Sequence, residues 1–584
     1  MLQGWVQIAV FCAVLVALVP VVGGYMARVY AGETVALSRV VGPVERLIYR
    51  LLRVDVAENQ GWKAYAGSLI LFSALGWLLL YGILRTQTIQ PWNPQGFHSG
   101  TWDLSFSTAS SFVTNTNWQY YGGETTLSYF AQMAGLAVQN FVSAAAGIVV
   151  AVALIRGIVS RRTGAGLGNF WQDLTRTILY VLLPLSIVGA LVLVSQGVMQ
   201  TLGHYVDFTS VNGTTSQLAR GPVASQEVIK ELGTNGGGFF NVNSSMPFEN
   251  PSGFTNFFEM LLILIIPASL PYTFGRMVGS RRQGWAIFAA MAVMFVGAVV
   301  VVYLAEQQGT PAQHLAGVHT HAFSGSTGGN MEGKEQRFGI ANSALWTAIT
   351  TVTSCGAVNA AMESLTGIGG LVPMANMAAS ETIFGGTGTG LYSMLMYVLL
   401  AVFLGGLMVG RTPEFLGKKI EAREIKLVVL GTLVTPLAAL VATAAAVGTK
   451  YGAPSVYAEG PQGFSESIYA YLSQANNNGS AFAGYTGYYQ PVPGNIGAHG
   501  ITFADLLGGV TMIGARFLPI IFVLAIAGSL ARKKVHPAGL GTMRTDTPTF
   551  VFLLIGVVVL IGALTFFPAL LLGPVVQGLT TQLF

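Results

Sequence analysis

Thr114-Asn115-Thr116, Thr234-Asn235-Gly236, Ser354-Cys355-Gly356 and Asn477-Asn478-Gly479 are four short polar segments in an otherwise oily chain. Their middle residues stand 120, 120 and 123 residues apart, and the segments align position for position. A fourfold internal repeat follows. Long-period repeats usually build solenoids or propellers, whose units carry polar outer faces. The units here are mostly apolar.

Charged residues make up 9% of the 584 positions and hydrophobic residues 52%, far from the roughly 25% charged content of soluble domains. The composition is that of a membrane protein. Apolar windows long enough to cross a bilayer fall near 3–25, 64–85, 128–156, 172–198, 255–278, 285–305, 391–410, 426–448, 506–531 and 549–574. The first lacks a preceding basic residue and a clear small-residue cleavage pattern, so it reads as a retained helix and not a signal peptide.

With ten spans, one set of alternate loops carries Arg28, Arg39, Arg46, Arg50, Arg53, Lys63, Arg156, Arg161, Arg162 and Arg176. The same side holds Arg276, Arg281, Arg282, Arg411, Lys418, Lys419, Arg423, Lys426, Arg532, Lys533, Lys534 and Arg544, together 22 of the 29 basic residues. The positive-inside bias assigns that side to the cytoplasm and both termini to the outside. Topology thus explains the net charge of +5, and no nucleic-acid partner is needed. Two cysteines, Cys12 and Cys355, exclude a disulfide framework.

Each polar segment lies between two spans on the outer side, after a stretch too short to cross the membrane. Asp103, Ser225, Ser343 and Ser465 are the expected N-caps of four short re-entrant helices. Irregular backbone at membrane depth persists only when buried in protein or lining water, so the four segments are expected to converge. Helices ending at them aim their negative dipole ends at a shared axis, which suits a cation. The expected fold is all-α and polytopic, with four pseudo-repeats of helix, pore helix, filter loop and helix around one pore. Residues 1–60 would hold an extra N-terminal span and cytoplasmic loop, 61–165, 166–282, 283–418 and 419–535 the repeats, and 536–584 an extra C-terminal span.

Ion filters replace hydration water with rings of oxygen, and Gly, Thr and Ser supply carbonyls and hydroxyls on permissive backbone. The candidate ion-contacting residues are Val113, Thr114, Asn115, Thr116, Thr234, Asn235, Gly236, Thr353, Ser354, Cys355, Gly356, Asn477, Asn478 and Gly479. No carboxylate lies among them, which favours a monovalent over a divalent cation. Cys355 lacks His or Cys neighbours at ligand spacing and reads as a small residue offering its carbonyl. Seven acids, Asp103, Glu124, Asp207, Glu227, Glu231, Glu249 and Glu259, are expected to concentrate cations at the entrance.

The four segments, extended to Thr114-Asn115-Thr116-Asn117-Trp118-Gln119, Thr234 to Phe240, Thr353-Ser354-Cys355-Gly356-Ala357 and Asn476 to Ser480, together with Pro247-Phe248-Glu249-Asn250-Pro251, resemble the potassium-binding subunit of Kdp-type potassium-transporting ATPases. The resemblance spans essentially the whole chain and extends to the superfamily of Trk, Ktr and HKT transporters. It implies a high-affinity potassium uptake complex in a bacterial inner membrane, with K+ as the transported ion and no organic cofactor. The implied partners are a P-type ATPase catalytic subunit, a single-span accessory subunit and a short membrane peptide. It further implies that K+ passes from the outer filter through a tunnel toward the ATPase, with the pore blocked inward.

Gly385-Gly386-Thr387-Gly388-Thr389-Gly390 is the candidate plug, since its Gly385, Gly386, Gly388 and Gly390 would break any helix. Arg516, inside the second span of the fourth repeat, is an intramembrane charge and so a functional candidate. The superfamily resemblance implies that it reaches the pore below the filter and acts as an electrostatic stopper or tethers the glycine break; the alternative is a structural pairing with a carbonyl or with an acid such as Asp505. The resemblance implies that Gln119, just beyond the first filter segment, lines the outer mouth; the alternative is that it caps a loop. No ATP site is apparent: the nearest phosphate-loop match, Gly328 to Lys334, puts Glu335 where Ser or Thr should bind magnesium. The rivals are a stand-alone channel or symporter subunit of the same superfamily, a secondary transporter with inverted repeats, and a non-transporting scaffold.

Overall fold

Among the described residues of the computed structural model, ten helices are long and apolar enough to span a membrane, and their order follows the repeat. The described residues are 2–161, 166–323, 327–487, 502–537, 539 and 542–580. Arg162, counted above among the basic residues, lies outside them.

Each repeat places a short helix between two spans. In the first, Trp62–Arg85 and Ala131–Val159 flank Trp102–Val113; in the second, Phe170–Ser195 and Gly253–Met277 flank Val223–Leu232. In the third, Arg281–Gln308 precedes Gly339–Val352, and the closing span is broken into Gly367–Ala378 and Thr389–Met408. In the fourth, Ala422–Val447 and Phe503–Leu530 flank Gly460–Ala475. Leu2–Ala31 and Pro548–Leu570 stand before and after the repeats. Two short antiparallel hairpins, Val206–Thr209 with Thr215–Leu218 and Glu414–Phe415 with Lys418–Lys419, stand outside the helices among the described residues.

Burial separates the two spans of each repeat. The closing spans are 83%, 83%, 78% and 61% buried over their most apolar window, whereas the opening spans reach only 28%, 44%, 50% and 39%. The closing spans therefore surround the axis and the opening spans face outward, where apolar side chains meet lipid at no cost. The first helix packs along Gly253–Met277, with Thr273 donating to the Gly23 carbonyl at 3.1 Å. The last packs against Arg281–Gln308 and Thr389–Met408.

The pore helices start earlier than the polar residues in their first turns suggested. They begin at Trp102, Val223, Gly339 and Gly460, after Thr101, Pro222, Phe338 and Glu459. Asp103, Ser225, Ser343 and Ser465 thus lie inside the helices and are not their N-caps. Proline near the first position starts the fourth helix a turn upstream, and Ser343 bonds back to the Gly339 carbonyl at 2.9 Å.

Candidate functional site: a ring of four pore loops

Each pore helix stops at the polar segment that follows it, and all four stop in the same way. One residue in left-handed backbone follows the C-cap: Asn115 (φ 68°), Thr234 (φ 51°), Ser354 (φ 51°) and Asn477 (φ 52°). The next N–H turns back to the carbonyl five residues earlier. Thr116 donates to Ser111 at 2.9 Å, Asn235 to Lys230 at 2.8 Å, Cys355 to Thr350 at 2.9 Å and Asn478 to Ser473 at 2.8 Å. These bonds satisfy carbonyls that a helix end would otherwise leave without a partner.

This geometry corrects the alignment of the triplets by one residue in the first repeat. Thr116 is the counterpart of Asn235, Cys355 and Asn478, and Asn117 (φ 58°) stands where the other repeats have Gly236, Gly356 and Gly479. Gly236 (φ 85°) and Gly479 (φ 100°) are left-handed at this place while Gly356 is not, and asparagine is a non-glycine residue that accepts left-handed backbone, which accounts for Asn117 there. Thr114 and Thr353 are C-caps whose hydroxyls donate into their own helices, to Ser110 and Ile349, each at 2.7 Å. Val113 is the last residue of the first pore helix.

The four segments are joined edge to edge. Asn115 donates its side-chain amide to the Gly233 and Thr234 carbonyls, each at 3.2 Å. Gly356 N–H donates to the Asn235 carbonyl at 3.1 Å. The Asn478 side chain donates to the Thr350 carbonyl at 2.8 Å, and Asn477 donates to the Thr116 hydroxyl at 2.9 Å. First meets second, second third, third fourth, and fourth first. A vestibule of about 590 Å³ opens above the ring, lined by Asn117, Gly236, Gly356 and Gly479, one from each repeat. Gln119 lines it too, within 3.4 Å of the Gly238 carbonyl.

Directly beneath the ring runs the glycine break of the third repeat. Thr387 N–H donates to the Thr234 hydroxyl at 3.0 Å, and the Thr387 hydroxyl donates to the Gly233 carbonyl at 3.2 Å. Gly388 (φ 94°) passes so close to Gly147 that a Cβ there would lie 2.1 Å from the Gly147 carbonyl oxygen. Ser380 (φ 55°), Glu381 (φ 57°) and Phe384 (φ 47°) are also left-handed, so the loop is held in a shape its residues disfavour. Gly386 lies beneath both the Thr234 hydroxyl and the Thr353 carbonyl, and Gly385 and Gly390 pack against each other.

Arg516 is buried and donates to the Thr389 hydroxyl at 2.8 Å, where the helix resumes after the break. Together with Glu381 and Asn477 it encloses a cavity of about 20 Å³. Of the readings offered for Arg516, the tether to the glycine break has a bond behind it. Asp505 lies eleven positions earlier on the same helix, about 16 Å along its axis, and is bonded by Thr502 instead.

Residues 9–579 match the family described as potassium-transporting ATPase A subunit, KdpA. The chain belongs to that family. A relative from Methylorubrum extorquens, named potassium-transporting ATPase potassium-binding subunit, is 55% identical over 99% of this chain and 97% of its own length. One of the same name from Mesorhizobium japonicum is 53% identical over 99% and 98%. The crystal structure of the potassium transporter TrkH from Vibrio parahaemolyticus shares the fold, with a TM-score of 0.51 at 14% identity, over 79% of this chain and 84% of that one.

In this KdpA-family chain the acids expected at the entrance mostly lie elsewhere. Glu227, Glu231, Glu249 and Glu259 are fully buried around Lys230, behind the second pore helix. Asp103 accepts the Thr502 N–H at 3.0 Å, and Asp207 sits on the exposed hairpin. Only Glu124 of the seven lines the vestibule, where burial pushes its carboxyl up from the ordinary range. The base that draws three of these glutamates inward is Lys230, and the signal for it in the sequence was Glu227, Lys230 and Glu231 at helical spacing.

Two further groups brace the ring from the first repeat's closing span. Ser143 donates to the Asn115 side-chain carbonyl at 2.7 Å, and Asn117 donates to the Asn140 side chain at 2.8 Å. Polar residues in an otherwise apolar span were their signal. The Cys355 thiol points away from its neighbours in the ring and donates to Glu231 at 3.4 Å, which fits the structural reading over a soft-metal ligand. Lys334, in the loop that loosely matched a phosphate motif, is buried in an ion pair with Glu306 at 2.8 Å.

Proposed function

We propose that this chain is the potassium-binding and translocating subunit of an ATP-driven uptake complex, taking K+ from outside and delivering it to a P-type ATPase subunit. The observation that carries this reading is the closed ring of four pore loops under one vestibule. The names of the full-length relatives favour it over a stand-alone channel or symporter subunit.

A K+ ion arriving in the vestibule exchanges water for protein oxygen. The hydroxyls of Thr114 and Thr353 are engaged with their own helices, so the reading assigns most ion contacts to backbone carbonyls of the ring. Those carbonyls supply partial negative charge without a carboxylate, and four pore-helix C-termini add theirs. The ring's cross-repeat bonds fix its diameter, and a ring that cannot shrink around a smaller ion leaves Na+ poorly compensated. Binding K+ at micromolar concentration takes about 8 kcal/mol in all.

Below the ring, the Thr387 loop and the Arg516 guanidinium stand in the way of a straight passage. A fixed positive charge in a low-dielectric setting repels a second cation strongly. On this reading K+ turns sideways between helices toward the ATPase partner. A single-span accessory subunit and a short membrane peptide complete the proposed assembly. The proposed setting is a bacterial inner membrane with both termini outside, and residues 61–165, 166–282, 283–418 and 419–535 are the proposed repeat units.

The test is ATP hydrolysis by the complex that co-purifies with a tag on this chain, titrated with K+ and then Na+. Stimulation by K+ and not by Na+ supports the reading. Passive K+ flux through the chain alone, with no associated ATPase, overturns it in favour of the channel.

A further inference from the structure

Pore helices in an apolar protein seldom hold charge, yet the second one carries Glu227, Lys230 and Glu231 on one face, all buried. The Lys230 ammonium lies 2.7 Å from Glu227, 2.9 Å from Glu249 and 3.7 Å from Glu231. Glu259 enters from the following span, and carboxylate oxygens of Glu227, Glu231 and Glu259 lie within 4.8 Å of one another. Ser244 donates to Glu227 at 2.7 Å and to Glu231 at 3.3 Å. One ammonium thus holds together three carboxylates, those of Glu227, Glu231 and Glu249, that would repel one another without it, and Glu259 lies at the edge of the group with no ion pair to it.

The members of this group are fastened to the ring. The Lys230 carbonyl receives the N–H groups of Asn235 at 2.8 Å and Gly236 at 3.2 Å. Glu231 receives the Cys355 thiol, which fixes the third segment. Glu249 receives the Phe240 N–H at 2.9 Å, and a Cβ on Gly238 would fall 2.9 Å from Glu249 and 3.0 Å from Lys230. The chain leaving the second segment therefore lies flat against the ion-pair group. Two of the four ring segments share one electrostatic back wall.

We propose that Lys230 is a positioning residue for ion selection: through Glu231 and Glu249 it clamps the second and third ring segments at the spacing that discriminates K+ from Na+. The proposal rests on the reading of the ring as a potassium filter. It differs from a general packing role in what it predicts. Loss of packing lowers the yield or the maximal rate of the complex, whereas loss of the clamp loosens the ring and changes which ion it prefers.

The experiment uses the complete ATPase complex carrying Lys230→Met, assayed for ATP hydrolysis against K+, Rb+ and Na+. The expected result is an increase of about tenfold or more in the K+ concentration for half-maximal stimulation, with a narrower gap between K+ and Na+. The rate at saturating K+ stays near wild type. Unchanged K+ dependence and unchanged discrimination overturn the clamp. Where Lys230→Met fails to assemble, Glu231→Gln leaves the lysine in place and weakens the tie to Cys355; a shifted ion preference supports the clamp and an unshifted one overturns it. A wild-type complex that K+ does not stimulate removes the filter reading itself, and the clamp with it.

Discussion

Asn477 donates its side-chain amide to the Thr116 hydroxyl at 2.9 Å, a bond between residues 361 positions apart that closes the ring from the last repeat to the first. The other three joints link consecutive repeats, so this one converts a row of loops into a closed ring. Asn477→Leu removes the donor and leaves the Thr116 oxygen without it in a buried place, at a cost of about 1–3 kcal/mol. The expected outcome is an increase of roughly tenfold in the K+ concentration for half-maximal ATPase stimulation, since 1.4 kcal/mol is a factor of ten. A complex with wild-type K+ dependence would show that the joint does not shape the filter.

Gly356 is the glycine at which the ring can be crowded without breaking its backbone. A Cβ there meets the Asn478 carbonyl at 3.0 Å and Gly479 at 3.0 Å, whereas one on Gly479 would lie 2.0 Å from the Thr116 carbonyl oxygen. Gly479 also has a φ of 100°, which side chains avoid. Gly356→Ser is therefore expected to assemble with relaxed K+ selectivity, read as increased stimulation by Rb+ and Na+. Gly479→Val is expected to yield little complex in a co-purification assay. Equal selectivity of wild type and Gly356→Ser would remove Gly356 from the filter.

Spacing and hydropathy alone exposed the ten spans, the fourfold unit and the helix break at Gly385 to Gly390, because each is a local property repeated along the chain. The one-residue offset of the first repeat was hidden, since Thr114-Asn115 and Thr234-Asn235 look alike and only the backbone shows that Thr114 is a C-cap while Thr234 is left-handed. The joints between repeats join residues more than a hundred positions apart, which no local pattern encodes. The burial of Glu227, Glu231, Glu249 and Glu259 was missed for a similar reason: an acid in an outer loop and an acid folded back onto a pore helix have the same composition.

Arg516 is bonded to Thr389 and lies on the inner side of the ring, so its replacement separates entry from delivery. Arg516→Ala removes both the fixed charge and the tether of the resumed helix. K+ dependence of stimulation is expected to change by less than about threefold, within 1 kcal/mol. The K+ moved per ATP in proteoliposomes is expected to fall, with a passive K+ leak appearing. An unaltered coupling ratio together with weakened K+ binding would place Arg516 in the filter and not beneath it.

Glu466, in the fourth pore helix outside the spanning segments, carries a pH signature. Burial above all, and then the neighbouring Glu363 carboxyl, push it up to about 7. The Tyr457 N–H approaches Glu466 at 3.3 Å and the Gly484 N–H donates to Glu363 at 2.6 Å, so the pair holds the outer loops around the fourth segment. A carboxyl whose pKa is raised on folding binds its proton more tightly in the folded state. Its contribution to stability is fully present below the unfolded value near 4.3 and is lost as pH rises through about 7. Thermal unfolding of the complex is therefore expected to occur at lower temperature at about pH 8 than at about pH 5.5. Glu466→Gln keeps the side chain neutral at both values and is expected to flatten that part of the profile; a variant with the wild-type slope would assign the dependence to another group.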